Sequence, residues 1–482
     1  MSTKTHYKTA AEDRISLKQK SAYAIGMLVN NLQAAALPAM VIILNLGLGM
    51  DPLLVGLLGA IPRVFDAVSD PMIGYISDNT RTRWGRRRPF IFTGALTAGL
   101  IFALMWQLPE GHTQMFYFWT FLAASILFFL AYTVYATPFV AFGYEMTPDY
   151  HERTRLHAFA NTVGQLAWLG VPWFYALMAS NLFKDTVHGA RVLAVWVGVI
   201  VALLGVIPAI FCREKKTLTP KAADGFIKNM SQFLKGIGTT FRCGPFVKLC
   251  GATFLVFNGF QLGMSFSLYV MIYYLFQGDN SSAGKLMGWF GMLTSIFTLC
   301  VIPLTGWIAT KIGKRKTFLI TISLSIVGYA VKWVGYNPDY PYWLLFASPL
   351  VAFGTGSLFT LMGSMISDVC DYDELKTHQR REGVFGAIYW WMVKVGMALA
   401  GLLTGVLLKT SGFDVALGAG QADKTLFLLR VFDVGIPIIT SFIALGIIAT
   451  YTITEERAHE IRAELERRRG KAGAAEATET RR

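Results

Sequence analysis

Long apolar runs separated by short polar segments recur along the whole chain. Twelve of these runs approach or exceed about 20 residues, the length that a helix needs to cross about 30 Å of hydrocarbon. The first run is too long for the apolar core of a cleavable signal peptide, so we expect it to be retained as a span. The pattern predicts an all-α integral membrane protein with twelve transmembrane helices. Their approximate limits are residues 21–46, 53–77, 89–108, 115–145, 155–180, 191–212, 246–277, 284–309, 317–336, 341–368, 383–408 and 426–453.

Composition supports this interpretation, and the distribution of charge adds an orientation. Hydrophobic residues make up 54% of the 482 positions and charged residues 15%, a balance that is too apolar for a soluble domain. Most of the 44 lysines and arginines lie in the N-terminal segment, in the connections after even-numbered spans and in the C-terminal tail, and the other loops hold only Lys184, Arg191, Lys409 and Lys424. The positive-inside rule therefore predicts a multi-pass protein of the cell membrane, in bacteria the inner membrane, with both termini in the cytoplasm.

The net charge of +14 is a consequence of this topology. Anionic lipid headgroups are the expected partners of the cytoplasmic basic residues. Binding to nucleic acid is not expected, because it would require a basic face on a soluble domain. All seven histidines lie in tails, loops or span ends, and the five cysteines have no metal-like spacing. We therefore expect no bound metal or other cofactor, which disfavours an enzyme or a receptor, and we also expect a monomer.

A weak internal repeat divides the chain into two halves. The motif Pro71-Met-Ile-Gly74-Tyr-Ile ends the second span, and Pro303-Leu-Thr-Gly306-Trp-Ile ends the eighth span 232 residues later. A basic turn follows each motif. Two parallel repeats of six spans are typical of major facilitator transporters, which predicts two pseudo-symmetric six-helix halves. The expected divisions are an N-terminal half at 1–212, a cytoplasmic linker at 213–245, a C-terminal half at 246–453 and a cytoplasmic tail at 454–482.

Two carboxylates lie inside the second predicted span. Asp66 and Asp70 share one helical face, and Arg63 precedes them by one turn. Because an ionised carboxylate in hydrocarbon is costly, we interpret the pair as functional. The equivalent positions in the second half are Thr298 and Ile302, so the repeated scaffold does not require the acids. Two carboxylates one turn apart can converge on a small dehydrated cation or share a proton, and the residues leave both possibilities open.

Four dispersed motifs then point to one family. In chain order they are Arg63-Val-Phe-Asp66-Ala-Val-Ser-Asp70-Pro71, Thr137-Pro138-Phe139, Asp368-Val-Cys-Asp371-Tyr372 and Val393-Lys394-Val395-Gly396. Together they resemble the glycoside-pentoside-hexuronide:cation symporters, the melibiose permease-like family of the major facilitator superfamily. The resemblance implies cation-coupled symport of a sugar or glycoside by alternating access. A related symporter for an amphipathic, lysolipid-like substrate or for a sulfonated sugar is the alternative.

The resemblance also assigns roles to individual residues. It places the cation-binding site at Asp66, Asp70 and Thr133, and the coupling or charge-pairing residues at Arg63 and Lys394. Lys394 is expected to pair with an acid when the cation is absent; the alternative is a purely structural ion-pair network among these residues. The family's fourth-span acid is replaced here by Ala136, which removes one cation ligand and leaves Na⁺ and H⁺ open as the coupling ion.

Polar and aromatic side chains within the spans are candidates for contacts with the substrate. Amides both donate to and accept from hydroxyl groups, although hydrogen bonds between helices are the alternative for each of them. The predicted substrate-binding residues are Asn30, Asn31, Tyr132, Asn161, Gln165, Asn258, Gln261 and Trp390, and Gln33 also interrupts the first span.

Charged residues at span ends receive two further interpretations. Those at the inner ends are expected to form a cytoplasmic gate, with ordinary topology determinants as the alternative. The gate candidates are Asp78, Arg86, Glu145, Arg153, Asp368, Asp371 and Arg381. Lys332 and Arg430, near outer span ends, are expected to extend to the interface, and the Glu- and Arg-rich tail from Glu455 is expected to be a solvated helix that frays.

Overall fold

The computed structural model describes residues 13–147, 149–213, 238, 240–378 and 381–468. Most of the predicted linker, residues 214–237, lies outside them. The described residues form thirteen helices of more than three turns. They are α1 Leu17–Met40, α2 Pro52–Asn79, α3 Arg88–Met105, α4 Gln114–Glu145, α5 Tyr150–Gly170, α6 Thr186–Gly205, α7 Gly244–Tyr269, α8 Asn280–Ile312, α9 Lys314–Gly335, α10 Ser348–Thr377, α11 Glu382–Thr410, α12 Asp423–Ala449 and α13 Glu455–Arg468.

Short helical segments extend several of these helices. Three are α-helical, at Ile42–Leu46, Phe174–Met178 and Ile207–Phe211. The chain also forms 3₁₀ turns at Val171–Trp173, Pro341–Ala347 and Val415–Gly420, and a π-helical segment at Val270–Leu275 continues α7. Side chains cap several helix starts; Asp51 accepts from the backbone N–H of Leu53 at the start of α2, and Thr113 accepts from Phe116 at the start of α4.

The all-helical membrane fold predicted from the apolar runs is confirmed. Eleven helices in the described part of the chain are long and apolar enough to cross a membrane. The predicted fifth span, 155–180, is not among them, and its residues form α5, a 3₁₀ turn and a five-residue helix. The start of α5 is also strongly polar, since its first two turns carry His151, Glu152, Arg153, Arg155 and His157.

The described residues divide into two compact units. The first contains α1 to α6 together with Gly278–Met292 and Leu408–Gly420. The second contains α7, the rest of α8, α9, α10, most of α11, α12 and α13. The first unit therefore includes the beginning of α8 and the end of α11, in addition to the helices that precede the predicted linker.

Two expectations for charged segments are wrong. The tail helix α13 is not fully solvated, because Ile461 and Leu465 are buried in the core of the second unit and α13 packs on α10. Lys332 does not extend to an interface, because its side chain is buried and forms an ion pair with Asp433. Arg430 instead lies over the rings of Tyr274 and Trp333, 4.3 and 4.4 Å from their centroids.

Candidate functional site

The two predicted cation-site carboxylates face hydroxyl groups on a neighbouring helix. Thr133 of α4 donates a hydrogen bond to Asp66 of α2 over 2.9 Å, and Thr137 donates to Asp70 over 3.3 Å. Both pairs are separated by 67 residues in sequence. Since each pair advances by one helical turn in the same direction, α2 and α4 run parallel here, and their polar residues form two successive rungs.

A proline follows the second rung on each helix. Pro71 lies inside α2 directly after Asp70, and Pro138 lies inside α4 directly after Thr137. A proline has no backbone N–H and cannot donate to the carbonyl four residues earlier. The carbonyls of Ala67 and Val134 therefore lack their usual helical donor next to the rungs. Helix breaks of this kind in membranes are tolerated where other groups satisfy the freed oxygen atoms.

The first rung is fully enclosed. Asp66 is 1% exposed and Thr133 is 0% exposed. A third hydroxyl belongs to this rung, because Ser69 Oγ lies 3.3 Å from Thr133 Oγ1 and donates to the backbone carbonyl of Asp66 over 3.1 Å. Hydroxyl donors favour an ionised carboxylate, and the same hydroxyl oxygens can turn a lone pair toward a cation.

The second rung contains a residue that the sequence interpretation did not select. Thr137 contributes its hydroxyl to Asp70, and its methyl group faces Gly74, where an added Cβ would lie 3.6 Å from Thr137 Cγ2. The sequence carried a signal for this residue, because Thr133 and Thr137 repeat the four-residue spacing of Asp66 and Asp70 before a proline. The candidate cation ligands are therefore carboxylate and hydroxyl oxygens, which suit a hard cation or a proton.

Arg63 contacts an aromatic ring near these rungs. Its guanidinium lies 4.7 Å from the ring centroid of Phe129 on α4, a cation–π contact. Tyr132 is also on α4, where it stacks on Phe128 with centroids 6.4 Å apart. The roles predicted for Arg63 in charge pairing and for Tyr132 in substrate binding stay predictions.

The polar residues of the first span separate into two kinds. Asn31 donates to the backbone carbonyl of Gly164 on α5 over 3.0 Å, so this amide joins two helices. In contrast, Asn30 Oδ1 and both polar atoms of Gln33 are buried with no hydrogen-bond partner among the described residues. Gln33 is 2% exposed. A buried amide without hydrogen bonds lowers the stability of the protein unless another polar molecule forms those hydrogen bonds.

The other substrate candidates of the first unit are on α5. Asn161 is exposed and Gln165 is partly buried. They are four residues apart and so share one helical face, as the sequence pattern predicted.

The second unit carries the remaining substrate candidates. Asn258 of α7 donates to the carbonyl of Phe254 over 2.7 Å, while its own Oδ1 is buried with no partner among the described residues. It lies against Gly396 of α11, where an added Cβ would be 2.4 Å from Asn258 Nδ2. Trp390, which is 57% exposed, stacks on Phe359. Gln261 on α7 and Lys394 on α11 are partly buried.

Most of the predicted gate residues form ion pairs within their own unit. In the first unit Arg86 contacts Glu145 over 2.7 Å, and Arg87, which the sequence interpretation omitted, contacts both Asp78 and Glu145 over 2.7 Å. The neighbouring candidate Arg153 donates to the carbonyl of Thr147 over 3.1 Å.

The gate candidates of the second unit behave similarly. Lys314 contacts Asp368 over 2.7 Å, and Arg381 binds both carboxylate oxygens of Asp373. The hydrogen bonds that Arg381 donates to this carboxylate raise the pKa of its guanidinium, so it stays charged. Asp371 lies on α10 between Asp368 and Asp373. Closure of a gate by these residues stays a prediction.

Comparison with known proteins places these features in context. A family model described as MFS/sugar transport protein matches residues 22–455. An uncharacterized symporter of Bacillus subtilis (strain 168) is 26% identical over 94% of this chain and 96% of its own. The isoprimeverose transporter of Lactiplantibacillus pentosus is 25% identical over 81% of this chain and 79% of its own.

Two further similarities bear on substrate and fold. A proposed sulfoquinovose importer of Escherichia coli (strain K12) is 25% identical over 96% of both chains. Among solved structures, a bacterial homolog of the human lysosomal transporter Spinster has a TM-score of 0.64 and 14% identity, and the match covers 91% of this chain and 97% of that one. At this identity the structural likeness concerns the fold.

Proposed function

We propose that this chain, which belongs to the MFS/sugar transport protein family, carries a sugar or glycoside across the membrane together with a cation. The family consists of transporters, so the protein is a secondary transporter and not an enzyme. The observation that carries the coupling part of the proposal is the Asp66–Thr133 rung, a buried carboxylate with hydroxyl partners inside a membrane helix.

The cation is proposed to bind at the two rungs between α2 and α4. Asp66, Asp70, Thr133 and Thr137 supply oxygen ligands from two successive turns, and Ser69 adds a fifth. Sodium and a proton are the two candidates. The carboxylates provide negative charge for either ion, and the hydroxyls provide the additional neutral oxygens that a metal cation requires.

The substrate is proposed to bind through buried amide atoms that have no hydrogen-bond partner among the described residues. Gln33 and Asn30 of the first unit present such atoms, and Asn258 Oδ1 is a separate candidate in the second unit. Amides match hydroxyl groups, which donate and accept in the same way, so the residues favour an uncharged, hydroxyl-rich molecule. Asn31 is a weaker candidate because it is already bonded to Gly164.

A sulfonated sugar is the second candidate substrate. It is favoured by the similarity to the proposed sulfoquinovose importer, which extends over nearly the whole of both chains. A sulfonate needs a cationic or N–H-rich partner. Arg63 in the first unit and Lys394 in the second are two separate candidates for such a partner.

The orientation is proposed from charge. The protein is a multi-span membrane protein, and its basic residues concentrate in the N-terminal segment, the even-numbered connections and the C-terminal tail. We place both termini in the cytoplasm on this basis.

Uptake into proteoliposomes tests the proposal. A panel of labelled neutral, acidic and sulfonated saccharides is presented under an inward sodium gradient, an inward proton gradient or no gradient. Accumulation of at least one saccharide above its external concentration under one gradient supports the proposal and identifies the ion. If no saccharide accumulates under either gradient, the proposed function is overturned.

A further inference from the structure

Two opposite charges are buried in the second unit, on helices that carry neither carboxylate of the candidate cation site. Lys332, in the last turn of α9, is 2% exposed, and Asp433 of α12 is 0% exposed. Their Nζ and Oδ1 atoms are 2.7 Å apart. Ser267 of α7 accepts from Lys332 over 2.8 Å and donates to Asp433 over 2.7 Å, while Tyr336 donates to the other carboxylate oxygen over 2.5 Å. This cluster therefore joins α7, α9 and α12.

Such a pair needs a reason beyond stability. Removing two charges from water is costly, and apolar residues of similar size commonly stabilise a fold as well or better. Here the carboxylate has three donors, Ser267 on α7 and Lys332 and Tyr336 at the end of α9. A fully satisfied network of this kind specifies one relative position of its helices, which apolar packing does less strictly.

Helix α7, which carries Ser267, packs very closely on α12. Gly259, Gly263 and Ser267 recur every four residues on one face of α7. An added Cβ at Gly259 would lie 2.1 Å from Thr440 Oγ1, and one at Gly263 would lie 2.7 Å from the backbone oxygen of Asp433. The backbones of α7 and α12 are therefore in direct contact, in antiparallel register, and the ion pair lies at one end of this contact.

Asn258, next to Gly259 on α7, is a candidate substrate ligand. Asn258 directly precedes Gly259 and presents a buried Oδ1 with no partner among the described residues. Its amide nitrogen lies against Gly396 of α11, so there is little room for it to move sideways. Nine residues of helix, about 13 Å, separate Asn258 from Ser267, and a one-residue slip of α7 would displace the amide by about 1.5 Å along the axis.

We propose that Lys332 and Asp433 are positioning residues for substrate recognition: by fixing α7 on α12, they hold the Asn258 amide where a substrate hydroxyl binds. This inference rests on the proposed function, because it takes Asn258 to be a substrate ligand. It also separates the two binding functions, since the pair acts on sugar affinity and not on the cation site of α2 and α4.

The test compares sugar and cation dependence of uptake for Asp433→Asn in proteoliposomes containing equal amounts of folded transporter. The sugar KM is expected to rise about tenfold, the loss that one misplaced hydrogen bond produces, while the cation concentration for half-maximal uptake is unchanged. Lys316→Met is the matched control, because Lys316 is an exposed lysine in the first turn of α9, at the opposite end of that helix from Lys332. It should leave both constants unchanged.

Two outcomes overturn the proposal. One is a lower thermal stability of Asp433→Asn with an unchanged sugar KM, which is what a purely structural pair would give. The other is a changed cation dependence with an unchanged sugar KM. If Asp433→Asn does not fold, Tyr336→Phe carries the test: it removes one hydrogen bond to Asp433 and keeps the charge pair. A two- to threefold rise in KM is then expected, and no rise overturns the proposal.

A readout that does not depend on transport separates this inference from the proposed function. The alkylation rate of Asn258→Cys is measured by mass spectrometry, alone and combined with Asp433→Asn or with Lys316→Met. The Asp433→Asn background should change the rate at position 258 at least about threefold, whether or not the protein transports sugar. An unchanged rate overturns the positioning role, whereas absence of uptake by the unmodified protein overturns only the proposed function.

Discussion

Thr133 donates its hydroxyl hydrogen to the carboxylate of Asp66 over 2.9 Å, at a point where both residues are almost completely enclosed. This contact joins two parallel membrane helices through a carboxylate. The equivalent position in the second half of the chain is Thr298, so the repeated scaffold does not require this acid. The combination of burial, negative charge and neutral oxygen ligands is the basis for assigning cation coupling to this part of the protein.

Replacing Asp66 by Asn should uncouple transport. The amide keeps the shape of the side chain but removes its negative charge, so the gradient should no longer drive accumulation, with a loss of about tenfold or more in the ratio of internal to external sugar. The ratio is measured in proteoliposomes under the gradient that drives the unmodified protein. Asp185→Asn is the control, because Asp185 caps α6 in a loop and Asn caps equally well. Full accumulation by Asp66→Asn would contradict the assignment.

Thr137 should matter through its hydroxyl and not through its methyl group. Thr137→Val keeps the methyl packing toward Gly74 but removes the donor to Asp70, and it should raise the cation concentration for half-maximal uptake about three- to tenfold. Thr137→Ser keeps the hydroxyl and should stay within about twofold of the unmodified protein. Equal effects of the two substitutions would indicate packing instead of ligation.

Gln33 should show opposite effects on stability and affinity. Both of its amide atoms are buried with no partner in the described part of the chain, so Gln33→Leu should stabilise the sugar-free protein by about 1 kcal/mol while weakening sugar binding. Thermal unfolding without sugar and the KM for uptake measure the two effects. Asn31→Leu is the matched comparison and should destabilise the protein, because it breaks the bond to Gly164. A destabilising Gln33→Leu with normal KM would show that this amide has a structural partner.

Asp51 provides a test of pH dependence outside the membrane-spanning helices. Burial opposes its ionisation, but hydrogen bonds from Lys409 and from the Leu53 N–H outweigh burial and lower the pKa of its carboxyl. A lowered pKa in the folded state adds stability above the unfolded pKa, and this stability is lost as the pH falls through the folded pKa.

The comparison of Asp51→Asn with the unmodified protein isolates this effect, because Asn retains the helix cap. The difference in melting temperature should be present at neutral pH and should disappear on acidification below the ordinary range of an aspartate. Asp339→Asn, at an exposed position in another loop, should show no such trend. A difference that is independent of pH would exclude the ionised pair as its origin.

Hydropathy was sufficient to predict most of the helices. The predicted span 53–77 corresponds to Pro52–Asn79, and 115–145 corresponds to Gln114–Glu145, because the membrane requires long apolar runs whatever their tertiary contacts. The fifth span was less well predicted, since α5 combines a polar start with a break after Gly170. The buried acid Asp66 and its neighbour Asp70 were also conspicuous in the sequence as charges inside an apolar run, and their role in cation binding stays a prediction.

Contacts between distant segments were not predictable in the same way. Lys332 was expected to reach an interface, and only its three-dimensional neighbourhood reveals Asp433, 101 residues away. Arg87 was passed over in favour of Arg86 because the two are adjacent arginines, and the choice between them depends on which one points at Asp78 and Glu145. Thr137 has an ordinary hydroxyl, and its importance follows from the register between α2 and α4.

The most direct test of the central claim is to measure whether sugar movement carries the cation with it. Proteoliposomes are loaded with equal internal and external cation, the membrane potential is clamped, and an inward gradient of the transported sugar is imposed while internal Na⁺ and internal pH are recorded. The account predicts that the sugar gradient drives one of these cations inward, above its external concentration, and that Asp66→Asn abolishes this flux. Sugar entry at a normal rate with no accompanying movement of either cation would contradict it.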